Sequence, residues 1–207
     1  MRLSPSPVLR RFATAAFLMV AVGACADQPT LLAPDTVPGA AASARTPTVT
    51  SAPAPSTAER NYEIKFMQGM IDHHMMAVMM SEMCLQKAVH EELRALCSEI
   101  IAAQRAEIME MQSWLQSWYG ITYEPEMKPG DQQMMDRMAA MSPAEFEVEY
   151  MERMIRHHAK AVKEGEHCLD KAYHTELKTL CANIIATQRE EIEIMQAWLC
   201  AWYGICR

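Results

Sequence analysis

Two histidine pairs, His73-His74 and His157-His158, stand 84 positions apart. Each is followed at the same spacing by a glutamine and a glutamate, Gln104 and Glu107 in the first case, Gln188 and Glu191 in the second. Imidazole and carboxylate are the side chains that ligate metals or move protons near neutral pH. Methionines accompany both sets: Met67, Met70 and Met111, and then Met151, Met154 and Met195. Their thioether sulfurs are soft, uncharged donors that suit Cu(I), with Ag(I) as the related soft ion, better than hard cations. They need no deprotonation, so binding through them survives acid. The chain holds 19 methionines in 207 residues, about four times the ordinary usage of roughly 2%. A bland reading competes with the chemical one. A buried His beside a Glu can simply fix register, and core Met is commonly gap-filler.

The elements that must position these residues are written twice. Residues 62–121 and 146–205 align without a gap, and 33 of the 60 positions are identical. Neither copy contains proline, so each reads as helix, short turn, helix. The first helix, over about 62–88, has an apolar seam of Ile64, Met67, Ile71, His74, Val78, Ser81 and Leu85, with a parallel seam through Phe66, Met70, His73, Ala77 and Met80. The second, over about 91–119, runs Leu93, Cys97, Ile100, Gln104, Glu107, Met111, Trp114, Trp118 and stops at Gly120. Amphipathic spacing of this kind makes two helical hairpins, the parts of an all-α, up-down four-helix bundle. The expected order is a signal at 1–24, a tether at 25–60, hairpin repeats at 61–121 and 146–207, and a Met-rich connector at 122–145 with a short helix through Met134, Met135, Met138 and Met141.

Cysteine spacing suggests a framework. Cys84 and Cys97 flank the first turn, Cys168 and Cys181 the second, and Cys200 and Cys206 straddle Gly204. In an exported chain disulfides are favoured, while a four-Cys metal site at the bundle tip is the alternative. A bridge from Cys84 to Cys97 makes facing residues sum to about 181, which sets His74 level with Glu107 and Met70 level with Met111. His73, His74, Gln104, Glu107 and their mates then share one level of the bundle. So many titratable groups at one buried level are costly without a ligand.

The repeat also isolates what is unusual. Met76, Met79, Met80 and Met83 lie at i, i+3, i+4, i+7, and copy two carries Lys160, Lys163, Glu164 and His167 there. Charges at those positions imply a largely solvent-facing surface. The copy-one stripe is therefore read as a soft-metal surface or a contact surface for a protein partner, unless the connector methionines fold over it.

The run Met67-x-x-Met70-Ile71-x-His73-His74, followed by Ile100-Ile101-Ala102-x-Gln104-x-x-Glu107-Ile108-x-x-Met111-x-x-Trp114-Leu115, resembles domain-of-unknown-function family 305 (DUF305), and copy two matches it again. The resemblance implies an exported, ferritin-like helical bundle and makes copper or silver binding plausible. A metal reading names His73, His74, Met67, Met70, Glu107, Met111, His157, His158, Met151, Met154, Glu191 and Met195, with the stripe Met76, Met79, Met80 and Met83 as a second set.

The remaining features set the context. Net charge is −7, which argues against nucleic acid as a partner. Arg2, Arg10 and Arg11 before the apolar run Phe12–Val22 read as a secretory signal, too short to span a membrane comfortably. It ends in Val22-Gly23-Ala24-Cys25, similar to a bacterial lipoprotein box with Cys25 acylated. The expected location is the cell envelope, facing periplasm or exterior, with membrane contact through lipid only. The Pro-, Ala- and Thr-rich stretch after it reads as a tether. Three functions follow: a copper- or silver-binding protein for sequestration or handling; an envelope interaction module with a structural His/Glu core, in which a protein partner or homodimer uses the stripe; and a ferritin-like dinuclear metal oxidase. The last requires Glu-x-x-His on two helices, and here Met70 and Met154 stand three residues before His73 and His157.

Overall fold

The computed structural model describes residues 54–206, apart from Pro129. Cys25, and the expected signal and tether up to residue 53, lie outside the described residues. Four long helices and one short one follow in order: α1 Thr57–Lys87, α2 Glu91–Tyr119, α3 Asp131–Ala139, α4 Pro143–Lys171 and α5 Thr175–Tyr203. The all-α bundle expected from the repeat is what forms. Its first helix begins at Thr57 rather than near residue 62, because Ser56 and Glu59 make a capping box that recruits the end of the supposed tether. Helix α4 starts in the same way, with Ser142, Pro143 at the first helical position and Glu145 closing the box. Gly120 and Gly204 end α2 and α5 in the left-handed region, each at φ 68°. There the amide of the following residue bonds back to the helix, Ile121 to Leu115 and Ile205 to Leu199.

Helix α1 packs on α2, α4 on α5, and α1 against α4. The hairpins lie head to tail. One apolar cluster joins the tip of the first hairpin (Cys84, Leu93, Cys97) to the open end of the second (Phe146, Tyr150, Leu199). The other joins Phe66, Met67 and Leu115 to Cys168, Leu177 and Cys181. The chain thus has an approximate two-fold relation between its repeats. Disulfides Cys84–Cys97, Cys168–Cys181 and Cys200–Cys206 are all formed.

Departures from symmetry are paired across the interface. Ser81 Oγ and Tyr150 OH are 2.8 Å apart in the core. The equivalent positions are Gly165 and Phe66, so both hydroxyls are missing together and neither side is left with an unpaired polar group. Gly165 also lets α4 approach α5, because a Cβ there would sit 2.9 Å from Ile185 Cγ1.

Candidate metal centre

Between the two apolar clusters runs a polar layer. His74 from α1 and His158 from α4 are fully buried, and Gln104, Gln188 and Glu191 are buried beside them. His74 Nε2 lies 2.7 Å from Glu107 Oε2, the pairing expected from the disulfide register. His158 Nε2 and Glu191 Oε2 are also 2.7 Å apart, but off the direction of a hydrogen bond, and both atoms count as unpartnered. Gln104 Oε1 and Gln188 Oε1 lack partners too.

The electrostatics of this layer follow from burial. Glu191 is pushed up to about 8 by desolvation, then by the negative charges of Glu107 and Glu190. His158 is pushed down to about 3 by burial and then by His74. At neutral pH the second pair is therefore held without charge.

His73 and His157 meet across the α1/α4 seam, with ring centroids 3.5 Å apart and planes at 28°. Both ring nitrogens of His73, and Nδ1 of His157, are buried without a hydrogen-bond partner. Burial, with His157 and His74 next in weight, drives His73 far below the ordinary imidazole range. His157 is lowered to about 3 by burial, His158, His74 and Lys160. These rings are neutral at physiological pH and keep an unused lone pair, the form in which imidazole ligates metal.

Each ring opens into a cleft. His73 and Met70 line one of about 170 Å³, rimmed by Lys65, Lys128, Lys160 and Glu164. His157 lines one of about 220 Å³ with Met76, Met80, Met134, Arg153 and Arg156. The two-fold relation maps Lys160 onto Met76 and Glu164 onto Met80, so the clefts have the same construction and different chemistry.

The structure therefore gathers some of the sequence-nominated residues and separates others. It joins His74 with Glu107, His158 with Glu191, His73 with His157 and Met70, and His157 with Met76 and Met80. Met67 and Met111 pack in one apolar cluster, and Met151, Met154 and Met195 in the other, all fully buried. They flank the polar layer rather than forming one shell around it. Among the described residues no group of three or more His, Cys, Asp and Glu donors converges as a metal site, so convergence here requires thioether sulfur.

Of the alternatives for the Met stripe, cover by the connector is the one that forms. Met80 is only 2% exposed, and Met76, Met79 and Met83 are half-buried. The cover is α3, whose Met135 and Met138 are buried in the same cluster and whose end is held by Lys87 Nζ donating to the Ala139 carbonyl at 2.7 Å. The equivalent copy-two residues Lys160, Lys163, Glu164 and His167 are exposed, since no second α3 covers them.

Sequence reasoning missed two carboxylate knots that clamp the hairpins together. Glu147 at the start of α4 is fully buried. It accepts from the backbone N–H of Val89 at 2.6 Å and of His90 at 2.8 Å, from His90 Nδ1 at 2.6 Å, and from Tyr203 OH. Glu63 does the same for Tyr173, His174 and Tyr119. Burial alone would raise both carboxyls, but the hydrogen bonds outweigh it and hold them below the usual range. His90 and His174 head α2 and α5 without capping through their own side chains, so the other hairpin supplies the cap. Each ring also stacks on a tryptophan, His90 on Trp202 at 3.9 Å and His174 on Trp118 at 3.8 Å. The available signal was identity of Glu63/Glu147, His90/His174 and Tyr119/Tyr203 between copies.

The profile of the family described as a domain of unknown function, DUF305, matches residues 63–199. The chain belongs to the DUF305 family. Solved structures of the same fold include CopM in its Cu(I)-bound form, 34% identical, covering 69% of this chain and 98% of CopM with a TM-score of 0.62. CopM has also been solved in Ag-bound, Cu(II)-bound and apo forms. A DUF305 fragment from Deinococcus radiodurans is 27% identical over 67% of this chain and 95% of its own, with a TM-score of 0.59. A DUF305 protein from Streptomyces coelicolor, 24% identical over 67% and 91%, shares the fold at a TM-score of 0.60. No match was found among the curated proteins.

Proposed function

We propose that this DUF305 protein binds Cu(I), and Ag(I) by the same chemistry, at the α1/α4 seam, and that it sequesters or handles the ion in the cell envelope. The observation that carries the reading is the His73–His157 pair: two half-buried neutral imidazoles with buried, unpartnered nitrogens, opening into clefts that also hold thioethers. Leaving such nitrogens unpaired costs free energy, and a soft ion would recover it. The donors are neutral, and cations outnumber anions at both rims, with Lys65, Lys128 and Lys160 against Glu164 on one side and Arg153, paired with Glu149, and Arg156 on the other. A dication would feel that repulsion twice as strongly as a monocation. Softness and charge therefore both favour Cu(I) and Ag(I) over Zn(II) or Cu(II). The copper- and silver-bound CopM structures support this reading.

The signal-like N-terminus and Cys25 support export and lipid anchoring. Among the described residues no helix is long and apolar enough to cross a membrane. The test is competitive Cu(I) titration of the mature protein against a chelator of known affinity. His73→Ala with His157→Ala is expected to weaken binding at least tenfold while the helical CD spectrum is retained. Unchanged affinity and stoichiometry in the folded variant would remove the imidazoles from the site.

A further inference from the structure

The two clefts on the α1/α4 seam are related by the internal repeat, yet the His73 side holds one thioether, Met70, and the His157 side three. On the His157 side the wall is Met76 and Met80 from α1, with Met134 reaching in from α3. On the His73 side the same α-helical positions are Lys160 and Glu164, and the connector residue present is Lys128. Helix α3 divides its methionines by task. Met135 and Met138 are buried and anchor the helix in the apolar cluster, whereas Met134 is half-buried and lines the cleft. A methionine whose only role was to hold α3 down would not need to line a cavity of about 220 Å³ facing an imidazole with an unpartnered Nδ1.

We propose that Met76, Met80 and Met134, with His157 at the inner wall, form a one-per-chain site for a soft monovalent ion, Cu(I) or Ag(I), and that α3 supplies one of its ligands. The proposal rests on the reading of the protein as a soft-metal binder and adds a position and a ligand set. Three uncharged thioethers and one imidazole supply no anion, so nothing in the site compensates a second positive charge. Arg153 is held by Glu149, and Arg156 is exposed. The Glu149 carboxylate offsets the Arg153 charge, so the preference for a monovalent soft ion rests on the neutral thioether and imidazole donors. Because Met76 and Met80 belong to α1 and Met134 to α3, an ion bridging them ties the connector to the bundle. Loading the site therefore protects α3. No equivalent site forms around His73, where the repeat has placed charges.

The direct test is Ag(I) titration of the mature protein carrying ¹³C-methyl methionine, with assignments from single Met→Leu variants. The methyl signals of Met76, Met80 and Met134 are expected to shift together at the same number of silver equivalents, and proteolysis within 131–139 is expected to slow by at least fivefold on loading. Met76→Leu/Met80→Leu/Met134→Leu should lose one bound silver per chain. If that variant fails to fold, the wild-type spectrum alone decides. Binding of silver with any of the three methyls unmoved overturns this site and leaves the broader reading standing. No silver or copper bound by wild type at all sinks both.

Discussion

Replacing Glu147 by Ala should be among the most damaging single changes in the bundle. The carboxylate is fully buried and satisfies four donors: the N–H groups of Val89 and His90, His90 Nδ1 and Tyr203 OH. Truncation leaves two backbone donors at the head of α2 and two side-chain donors without an acceptor. Each buried donor left unpaired costs about 1–3 kcal/mol. His90 is partly accessible, so water repays some of this. The expected loss is about 3–5 kcal/mol, the range for breaking a buried charged pair. For a unit of this size that lowers Tm by roughly 6–20 °C. Urea unfolding followed by far-UV CD measures it. Glu63→Ala should match, since Glu63 makes the equivalent contacts at α5. Glu145→Ala, in the exposed capping box of α4, should cost no more than about 1 kcal/mol. A loss below about 1 kcal/mol for Glu147→Ala would mean that the knots do not hold the hairpins together.

Stability should peak near pH 6.5. His157 and His158, both lowered to about 3, and His73, lowered further, are neutral in the folded state, while the unfolded chain protonates them near 6.5. The unfolded state therefore binds more protons below that point, and stability falls as pH drops from 6.5 towards 3. Glu191, raised to about 8 from 4.5, acts in the opposite sense. The folded state binds the extra proton between those values, so stability is lost as pH rises, by up to about 2 kcal/mol between 6.5 and 8 at about 1.4 kcal/mol per pH unit. Urea midpoints from pH 4 to 9 check this, and a steady rise to pH 9 would contradict it. Tyr150→Phe should cost about 1–2 kcal/mol by leaving Ser81 without its partner, and adding Ser81→Ala should return part of that loss. A strictly additive double variant would show that the hydroxyl pair is not coupled.

Local patterns in the sequence carried much of the fold. Helical periodicity, the gapless repeat and the cysteine spacing point to two disulfide-tied hairpins, and the bridge register places His74 opposite Glu107, where the structure has it. What depends on how the hairpins meet was not legible. Head-to-tail packing brings Glu147 to the start of α2, 57 residues away from its His90 partner, and no local pattern encodes that. Whether the Met stripe is open or covered cannot be read from the copy-two charges. Equivalent positions share a helix face, but only copy one is covered by α3. The stacked His73–His157 pair was likewise hidden, since sequence put both rings at one level without saying that they face each other.

The central claim is that thioether and imidazole together hold a soft ion. X-ray absorption at the copper edge of the Cu(I)-loaded protein carrying Cys25→Ala tests it most directly, because the other six cysteines are in disulfides and sulfur in the copper shell must then come from methionine. A mixed sulfur and nitrogen shell is the expected result. A shell of nitrogen and oxygen alone, or no retained copper, would contradict the account.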